Sequence, residues 1–293
     1  MRSLHRIALV GVAVLGITFG AFGAIPGQAA TRSGPVDVLY AGSLVTVMQK
    51  DIGPAFHTAT GYTVSGFSAG SKDLAAEIKG KTQVGDVFVS ASQGVNKSLE
   101  GSANGNWESW YETFGASPVV LGYNPRSKFA KALRTKPWYQ VLAEPGILVG
   151  RTDPTTDPKG TLAVKALDEA ADQYNEPQLR TLASESSDVY PEETLVGRLQ
   201  AGQLDAGFFY LSEAVPAEIP HVALKGIATL AASYTVSILH GAPHPAAARA
   251  FVEFLLGPKA RALILQNGFD VFHPAKVSGT GVPAGVSAAN NGH

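Results

Sequence analysis

Short apolar runs alternate with amphipathic segments between residues 36 and 266 of this 293-residue chain. The apolar runs predict strands, and the segments whose apolar positions recur at helical spacing predict helices. The predicted strands cover 36–40, 62–67, 86–90, 118–123, 147–149, 206–210 and 234–239. The predicted helices cover 44–57, 72–79, 127–133, 159–174, 191–200, 245–256 and 260–266. Strands that alternate with helices indicate an α/β fold with a largely parallel sheet.

The N-terminal segment has the composition of a secretion signal. Basic Arg2 and Arg6 precede an apolar run over 7–22, and the small residues at 27–30 offer a cleavage site. A membrane anchor is the alternative, but the run contains glycines and is shorter than a comfortable span. We therefore predict a signal peptide over 1–30 and export to the periplasm or the cell exterior.

Composition excludes several classes of site. The chain contains no cysteine, so a Cys-anchored lipoprotein, disulfides and thiolate metal sites are excluded. Its seven histidines follow no metal-ligand spacing, and we interpret His221, His240 and His244 as loop or surface residues. We predict no metal and no cofactor. The formal net charge of −1 gives no basic patch for nucleic acid, so an anionic ligand has to be held by local dipoles.

Two other segments receive structural interpretations. Trp107, Trp110, Tyr111 and Phe114 could stack on a sugar, but their spacing favours one face of a helix packed on the core. The small and polar C-terminal residues predict a flexible tail over 276–293.

Two strand-to-helix junctions share a design suited to anions. The first strand ends in Ala41-Gly42-Ser43, and the second ends in Ser68-Ala69-Gly70-Ser71. A helix start offers unpaired N–H groups and partial positive charge, glycine allows close approach of a ligand, and serine adds a hydroxyl donor. Such junctions meet outside the carboxyl edge of a parallel sheet. Plain N-capping by serine is the alternative at each junction.

Two later helix starts could complete the same site. Asp157 precedes the helix at 159–174, and Tyr190 precedes the helix at 191–200. A tyrosine hydroxyl at this position can donate a hydrogen bond to an anion. Asp157 is also a natural N-cap, and Tyr190 could simply pack against its neighbours.

A serine hydrolase is a rival interpretation. Gly66-Phe67-Ser68-Ala69-Gly70 matches the nucleophile elbow and lies on a strand–turn–helix, with Asp205 and His240 following in the expected order. However, only two predicted strands precede the serine, and a short glycine-containing match arises easily in a chain with 32 glycines. We therefore favour a binding protein over an enzyme.

Several motifs occur in a fixed order between residues 36 and 272. They are Leu39-Tyr40-Ala41-Gly42-Ser43-Leu44, Ser68-Ala69-Gly70-Ser71, Gly85-Asp86-Val87-Phe88-Val89-Ser90-Ala91, Gly202-Gln203-Leu204-Asp205-Ala206-Gly207-Phe208-Phe209-Tyr210, and Ala250-Phe251-Val252-Glu253-Phe254-Leu255-Leu256. In this order and spacing they resemble the molybdate/tungstate-binding components of ABC transporters.

The resemblance implies a two-lobed periplasmic-binding-protein type II fold with two crossover segments and a ligand between the lobes. We expect residues 33–116 plus 232–275 in lobe 1 and residues 117–231 in lobe 2. The implied partners are a molybdate or tungstate oxyanion and a membrane permease, and we expect a monomer. The ligand-binding residues that the resemblance implies are Ser43, Ser71, Tyr190, Ser117 and Asp157, with Gly42 and Gly70 beside them.

Two departures qualify the resemblance. The tungstate-type branch continues the Asp157-Pro158 motif with Cys-Gly-Tyr-Arg, but this chain has Lys159-Gly160-Thr161-Leu162. That branch also places two carboxylates near the metal centre, and the segment 224–227, where the second is expected, has none. Another tetrahedral anion such as sulfate therefore remains an alternative ligand.

Overall fold

The computed structural model describes residues 33–292, so the predicted signal peptide over 1–30 lies outside the described residues. Nine strands form the sheet. They are β1 (Gly34–Ala41), β2 (Tyr62–Ala69), β3 (Val87–Ser90), β4 (Trp110–Tyr123), β5 (Val149–Gly150), β6 (Ala206–Tyr210), β7 (His221–Ala223), β8 (Ala231–Ile238) and β9 (Asp270–Gly279).

Helices follow most of the strands. They are α1 (Val45–Val47), α2 (Gly53–Thr60), α3 (Ser71–Gly80), α4 (Gln93–Lys97), α5 (Ala130–Thr135), α6 (Trp138–Leu142), α7 (Pro158–Tyr174), α8 (Gln178–Ser184), α9 (Glu192–Gln200), α10 (Leu211–Ala214), α11 (Pro245–Leu256), α12 (Pro258–Gln266) and α13 (Ala284–Asn291). A π-helical turn over Met48–Ile52 joins α1 to α2, so the first predicted helix is continuous but irregular. The sequence did not predict β7, β9, α4, α6, α8, α10 or α13.

The sheet has the order β2-β1-β3-β8-β4-β6-β5, with β7 and β9 also paired to β4. Strands β1, β2 and β3 run parallel to one another, as do β5 and β6. The pairs that involve β4 or β8 are antiparallel, so the sheet is mixed rather than largely parallel. The reason is that β4 and β8 carry the chain out of one group of parallel strands and back into it.

The long strand β4 connects two halves of the sheet. Its residues 110–118 pair with β8 and β9, whereas its residues 119–123 pair with β6 and β7. The predicted crossover near 117–123 therefore falls where β4 changes partners. The predicted return near 229–234 coincides with the start of β8.

The aromatic residues around position 110 belong to a strand and not to a helix, so that prediction was wrong. Trp110, Tyr111 and Phe114 are all buried in β4. A bulge between Thr113 and Gly115 shifts the register and breaks the two-residue alternation. Residues 110–115 are also buried on both faces of the strand, so aromatic residues occupy adjacent positions there, and Trp107 lies just before the strand.

The C-terminal segment differs from the flexible tail predicted over 276–293. Strand β9 extends through Gly279 and pairs with β4, and α13 follows it. Val286 is fully buried, and the side-chain amide of Asn290 exchanges two hydrogen bonds, of 2.6 and 3.0 Å, with the backbone of Ala275. These contacts fasten the segment onto the sheet.

Candidate functional site

The two glycine loops predicted to bind an anion lie against the starts of two later helices. A Cβ atom added to Gly42 would lie 2.9 Å from Oε2 of Glu192, and one added to Gly70 would lie 2.5 Å from the carbonyl oxygen of Thr156. Both glycines are thus required for close approach rather than for an unusual backbone angle. The loops after β1 and β2 therefore face the starts of α9 and α7.

The first turn of α3 is hydrogen-bonded to the loop before α7. The N–H groups of Lys72 and Asp73 donate to the carbonyl oxygen of Thr156 at 3.1 and 3.2 Å. The ammonium of Lys72 donates to the carbonyl oxygen of Pro154 at 2.6 Å and to Oγ1 of Thr161 at 2.9 Å. Two amides at this helix start are therefore used by the protein itself.

Three of the predicted serines are buried, and each uses its hydroxyl oxygen as an acceptor. The Oγ atoms of Ser43, Ser71 and Ser117 accept from the Tyr234 hydroxyl at 3.1 Å, the Ala91 N–H at 3.1 Å and the Ser212 N–H at 2.9 Å, respectively. Within residues 33–292, none of the three hydroxyls donates to a protein atom in return. Each oxygen is held in position while its proton is free to donate.

Asp157 caps helix α7. Its Oδ1 accepts the N–H groups of Lys159 at 2.6 Å and Gly160 at 3.3 Å, and also the hydroxyl of Thr152 at 3.1 Å. The carboxyl group is almost fully buried. The N-capping interpretation of Asp157 therefore applies, and the cap places its carboxyl group beside Gly70.

The hydroxyl of Tyr190 is directed towards its own neighbours. It donates to Oδ1 of Asp188 at 3.1 Å, and the guanidinium of Arg198 lies 4.2 Å from the centre of its ring. The ring also packs against the apolar cluster that contains Leu195 and Leu199. The structure thus supports the packing interpretation of Tyr190.

Two other tyrosines, which the sequence analysis did not single out, have fully buried hydroxyl groups. The hydroxyl of Tyr234 lies 3.1 Å from Oγ of Ser43 and 3.2 Å from Oγ of Ser212. The hydroxyl of Tyr210 has no hydrogen-bond partner among the described residues. Burial raises the pKa of Tyr210 well above its ordinary value, and the charge of Asp157 raises it further. Tyr210 is therefore a neutral donor at the end of β6.

Two glutamates and one lysine form a charged cluster beside Tyr210. The ammonium of Lys159 is 2.6 and 2.8 Å from the two carboxyl oxygens of Glu213 and 3.3 Å from Oε1 of Glu192. All three side chains are buried, and Glu213 also accepts the N–H of Tyr210 at 2.8 Å. Neither carboxyl oxygen of Glu192 has a hydrogen-bond donor within the described part of the chain.

The charges in this cluster perturb one another. Burial raises the pKa of Glu192 well above its ordinary value, and the carboxyl of Asp157 raises it further, whereas the ammonium of Lys159 lowers it. Burial also raises the pKa of Glu213, against the opposing effect of Lys159. For Lys159, burial lowers the pKa, but the charges of Glu213 and Glu192 outweigh burial and raise it overall. The lysine therefore stays charged.

The residues of the rival hydrolase triad are not brought together. Asp205 accepts a hydrogen bond from the hydroxyl of Ser127 at 2.5 Å, and the ring of His240 contacts the carbonyl oxygen of Asn106 at 2.6 Å. Ser68 lies within β2 and not at a turn. Asp205 and His240 thus have separate partners, and neither is hydrogen-bonded to Ser68 or to the other.

One group of metal-ligand type occurs within residues 33–292. Single ligand atoms of Asp37, Asp86 and His244 lie within 4.8 Å of one another. Asp86 already accepts the N–H of Asp37 at 2.7 Å, the N–H of His244 at 2.6 Å and the His244 ring at 2.9 Å. These bonds tie β1, the strand β3 and the start of α11 together, so His244 is a tethered residue rather than a loose surface residue.

Comparison with known proteins gives a family match over most of the chain. Residues 36–270 match the family model described as bacterial extracellular solute-binding protein. A solute-binding protein of Petrotoga mobilis is 26% identical over 277 residues, which cover 83% of this chain and 85% of that protein. The molybdate/tungstate-binding protein WtpA of Thermococcus kodakarensis is 24% identical over 220 residues. That alignment covers 58% of this chain and 62% of the relative, so it spans less than two thirds of the relative's length.

A solved structure confirms the predicted fold. The periplasmic molybdate-binding protein of Azotobacter vinelandii superposes with a TM-score of 0.64 at 19% identity, and the match covers 80% of this chain and 98% of that chain. The α/β periplasmic-binding-protein fold is therefore confirmed. Within residues 33–292, no helix has the length and apolar character needed to cross a bilayer.

Proposed function

The chain belongs to the family of bacterial extracellular solute-binding proteins, and we propose that it captures molybdate or tungstate outside the cytoplasmic membrane for the permease of an ABC importer. The ligands named for the Thermococcus relative and for the Azotobacter structure support this choice. We propose that residues 1–30 direct export and that no cysteine-linked lipid holds the protein. The ligand undergoes no chemical conversion, so the protein is not an enzyme.

The observation that carries the proposal is the group of buried serine hydroxyls. Ser43, Ser71 and Ser117 hold their oxygens in place by accepting hydrogen bonds and keep their protons available. A fully ionised oxyanion accepts hydrogen bonds and donates none, so such a group of donors matches it. Gly42 and Gly70 stand beside Ser43 and Ser71, and they allow the starts of α9 and α7 to approach the same loops closely.

We propose that Tyr210, and not Tyr190, supplies the tyrosine donor. The Tyr190 hydroxyl is already bonded to Asp188, whereas the Tyr210 hydroxyl is fully buried without a partner among the described residues. A buried donor without a partner is costly, and a ligand that accepts its proton removes that cost.

Two carboxyl groups favour an oxometalate over sulfate. Asp157 was the only carboxylate that the sequence offered, and it lies close enough to Glu192 to raise the pKa of Glu192 beyond the effect of burial. Buried carboxylates repel any dianion, but molybdenum(VI) and tungsten(VI) can accept additional oxygen ligands, which the sulfur of sulfate cannot do. The second carboxylate was expected within 224–227, which contains none. We propose that Glu192 takes its place.

We propose that the ligand binds between lobe 1, formed by 33–116 plus 232–275, and lobe 2, formed by 117–231. The hydrogen bonds of Lys72 to Pro154 and Thr161 then join the two lobes in the closed form. Closure by hinge motion gives the permease a form that depends on the ligand.

Calorimetry on the purified mature protein with molybdate, tungstate, sulfate and hydrogen phosphate tests the proposal. We expect molybdate and tungstate to bind most tightly, and to raise the unfolding free energy by about 4 kcal/mol at about a thousand times the dissociation constant. Solution scattering should show a smaller radius of gyration with ligand. Tighter binding of sulfate would refute the oxometalate assignment, and no binding of any of these anions would refute oxyanion capture.

Tyr210→Phe tests whether Tyr210 or Tyr190 donates a hydrogen bond to the ligand. It should weaken molybdate binding by roughly 1.5–3 kcal/mol because a charge-assisted hydrogen bond is lost. The melting temperature without added anion should not fall, because the removed hydroxyl has no protein partner. Tyr190→Phe is the matched control and should leave the affinity nearly unchanged. The reverse pattern would return the donor role to Tyr190.

A further inference from the structure

Lys159 lies in the first turn of α7, where its N–H donates to Asp157 of the proposed oxyanion site. Its ammonium lies 2.6 and 2.8 Å from the oxygens of Glu213 and 3.3 Å from Oε1 of Glu192. Lys159 has an exposed fraction of 0%, and both glutamates are buried. A fully buried lysine is rare unless it is paired, and this one is paired with two carboxyl groups at once.

Without Lys159, the carboxyl groups at this site would have no positive charge in contact with them. Asp157, Glu192 and Glu213 contribute three carboxyl groups, and Lys159 is the cation that contacts two of them. A doubly charged oxyanion that enters this place adds further negative charge in a region shielded from water. Charge repulsion is strong there because little solvent screens it. The site therefore needs a fixed positive charge or bound protons.

We propose that Lys159 is a positioning residue of the oxyanion site, which orients Glu213 and offsets the charge of Glu213 and Glu192 so that a doubly charged oxyanion binds among the carboxyl groups at neutral pH. The inference rests on the proposed oxyanion capture. It differs from a purely structural ion pair because it links the lysine to the affinity for a dianion.

The surroundings of the ammonium fix it in place. The rings of Tyr210 and Phe209 lie 5.5 and 5.8 Å from it, within the range of cation–π attraction. Glu213 is itself held by the N–H of Tyr210. Glu192, in contrast, has no hydrogen-bond donor among the described residues and lies against Gly42. The lysine is thus anchored on the Glu213 side and acts on Glu192 mainly through its charge.

The groups that face the two glutamates determine how pH acts on the site. They are Asp157 before α7, Lys159 within it, Tyr210 at the end of β6 and Tyr234 on β8. Without the lysine, Glu192 and Glu213 would lose the charge that opposes their protonation. Protonation of these carboxyl groups at low pH would then replace the missing positive charge.

The experiment measures molybdate affinity by calorimetry at about pH 5.5 and about pH 8 for variants of the full mature chain. Lys159→Met should weaken binding about tenfold or more at the higher pH, and the loss should shrink at the lower pH. Adding Glu213→Gln to Lys159→Met should recover most of the loss. Lys165→Met, at an exposed position on the same helix, is the matched control and should bind like the wild type.

Glu213→Gln alone gives a prediction of opposite sign and remains informative if Lys159→Met fails to fold. With the lysine kept and one carboxylate neutralised, molybdate should bind more tightly than in the wild type at the higher pH. A structural ion pair predicts weaker or unchanged binding instead. The inference is overturned if Glu213→Gln does not tighten binding, or if Lys159→Met loses affinity equally at both pH values. A wild type that binds neither molybdate nor tungstate would overturn the proposed function, and this inference with it.

Discussion

Replacing Glu112 by glutamine probes a carboxyl group that is buried in β4. Glu112 has an exposed fraction of 0%, and neither of its carboxyl oxygens has a hydrogen-bond partner among the described residues. Burial raises its pKa from 4.5 to about 7. The folded chain therefore holds this proton over a pH range in which the unfolded chain has lost it.

The sign and size of the effect follow from this difference. Because the folded-state pKa is the higher one, the stabilisation is fully present below about pH 4.5 and is lost as the pH rises to about 7. The shift corresponds to about 3 kcal/mol of unfolding free energy. In the glutamine variant the group does not titrate, so this part of the pH dependence disappears.

Urea denaturation of the wild type and of Glu112→Gln at about pH 4.5, 6 and 8 measures the difference. The wild type should lose up to about 3 kcal/mol relative to the variant between the two ends of the range. Glu185→Gln, at an exposed position, should run parallel to the wild type. Parallel curves for Glu112→Gln as well would show that folding does not change the pKa of Glu112, which contradicts the reasoning from burial.

Two further changes test the site and its closure. Ser43→Ala should weaken molybdate binding by roughly 1.5–3 kcal/mol in calorimetry, and undiminished affinity would remove Ser43 from the set of ligand donors. Lys72→Met deletes the hydrogen bonds to Pro154 and Thr161 without touching the proposed ligand. It should weaken molybdate binding several-fold and increase the radius of gyration of the molybdate complex in solution scattering. Lys79→Met, on the exposed side of α3, is the control and should change neither quantity.

The sequence predicted elements well where one local pattern decided them. The strand at 206–210 and the helix at 245–256 have the predicted bounds because a continuous apolar run and a proline-started amphipathic segment are local signals. It failed where distant pairing decided the structure. The strand β9 exists because it pairs with β4, and α13 is held by Asn290 contacting Ala275, and neither contact has a local pattern.

The candidate site divides in the same way. Ser43, Ser71 and Asp157 could be proposed from the sequence because each stands where a helix begins, and local sequence reveals that geometry. Tyr210 was missed because it ends a buried apolar strand, where a tyrosine is expected to pack in the core like its neighbours. Only the fold shows that its hydroxyl lacks a partner.

Glu192 and Glu213 were missed for a different reason, namely that each has a sufficient local explanation. Glu192 stands in the first turn of α9, where an acid complements the helix dipole, and Glu213 accepts the N–H of Tyr210 at the start of α10. Lys159 is 54 positions from Glu213, so no spacing in the sequence connects them.

A helix cap, however, does not require burial, and an exposed acid would serve each helix equally well. The local explanation does not account for the joint burial of Lys159, Glu192 and Glu213. Burying charged groups costs free energy, and an ion pair does not always repay that cost. The burial of these three side chains, rather than their identity, is therefore the observation on which their proposed link to the ligand rests.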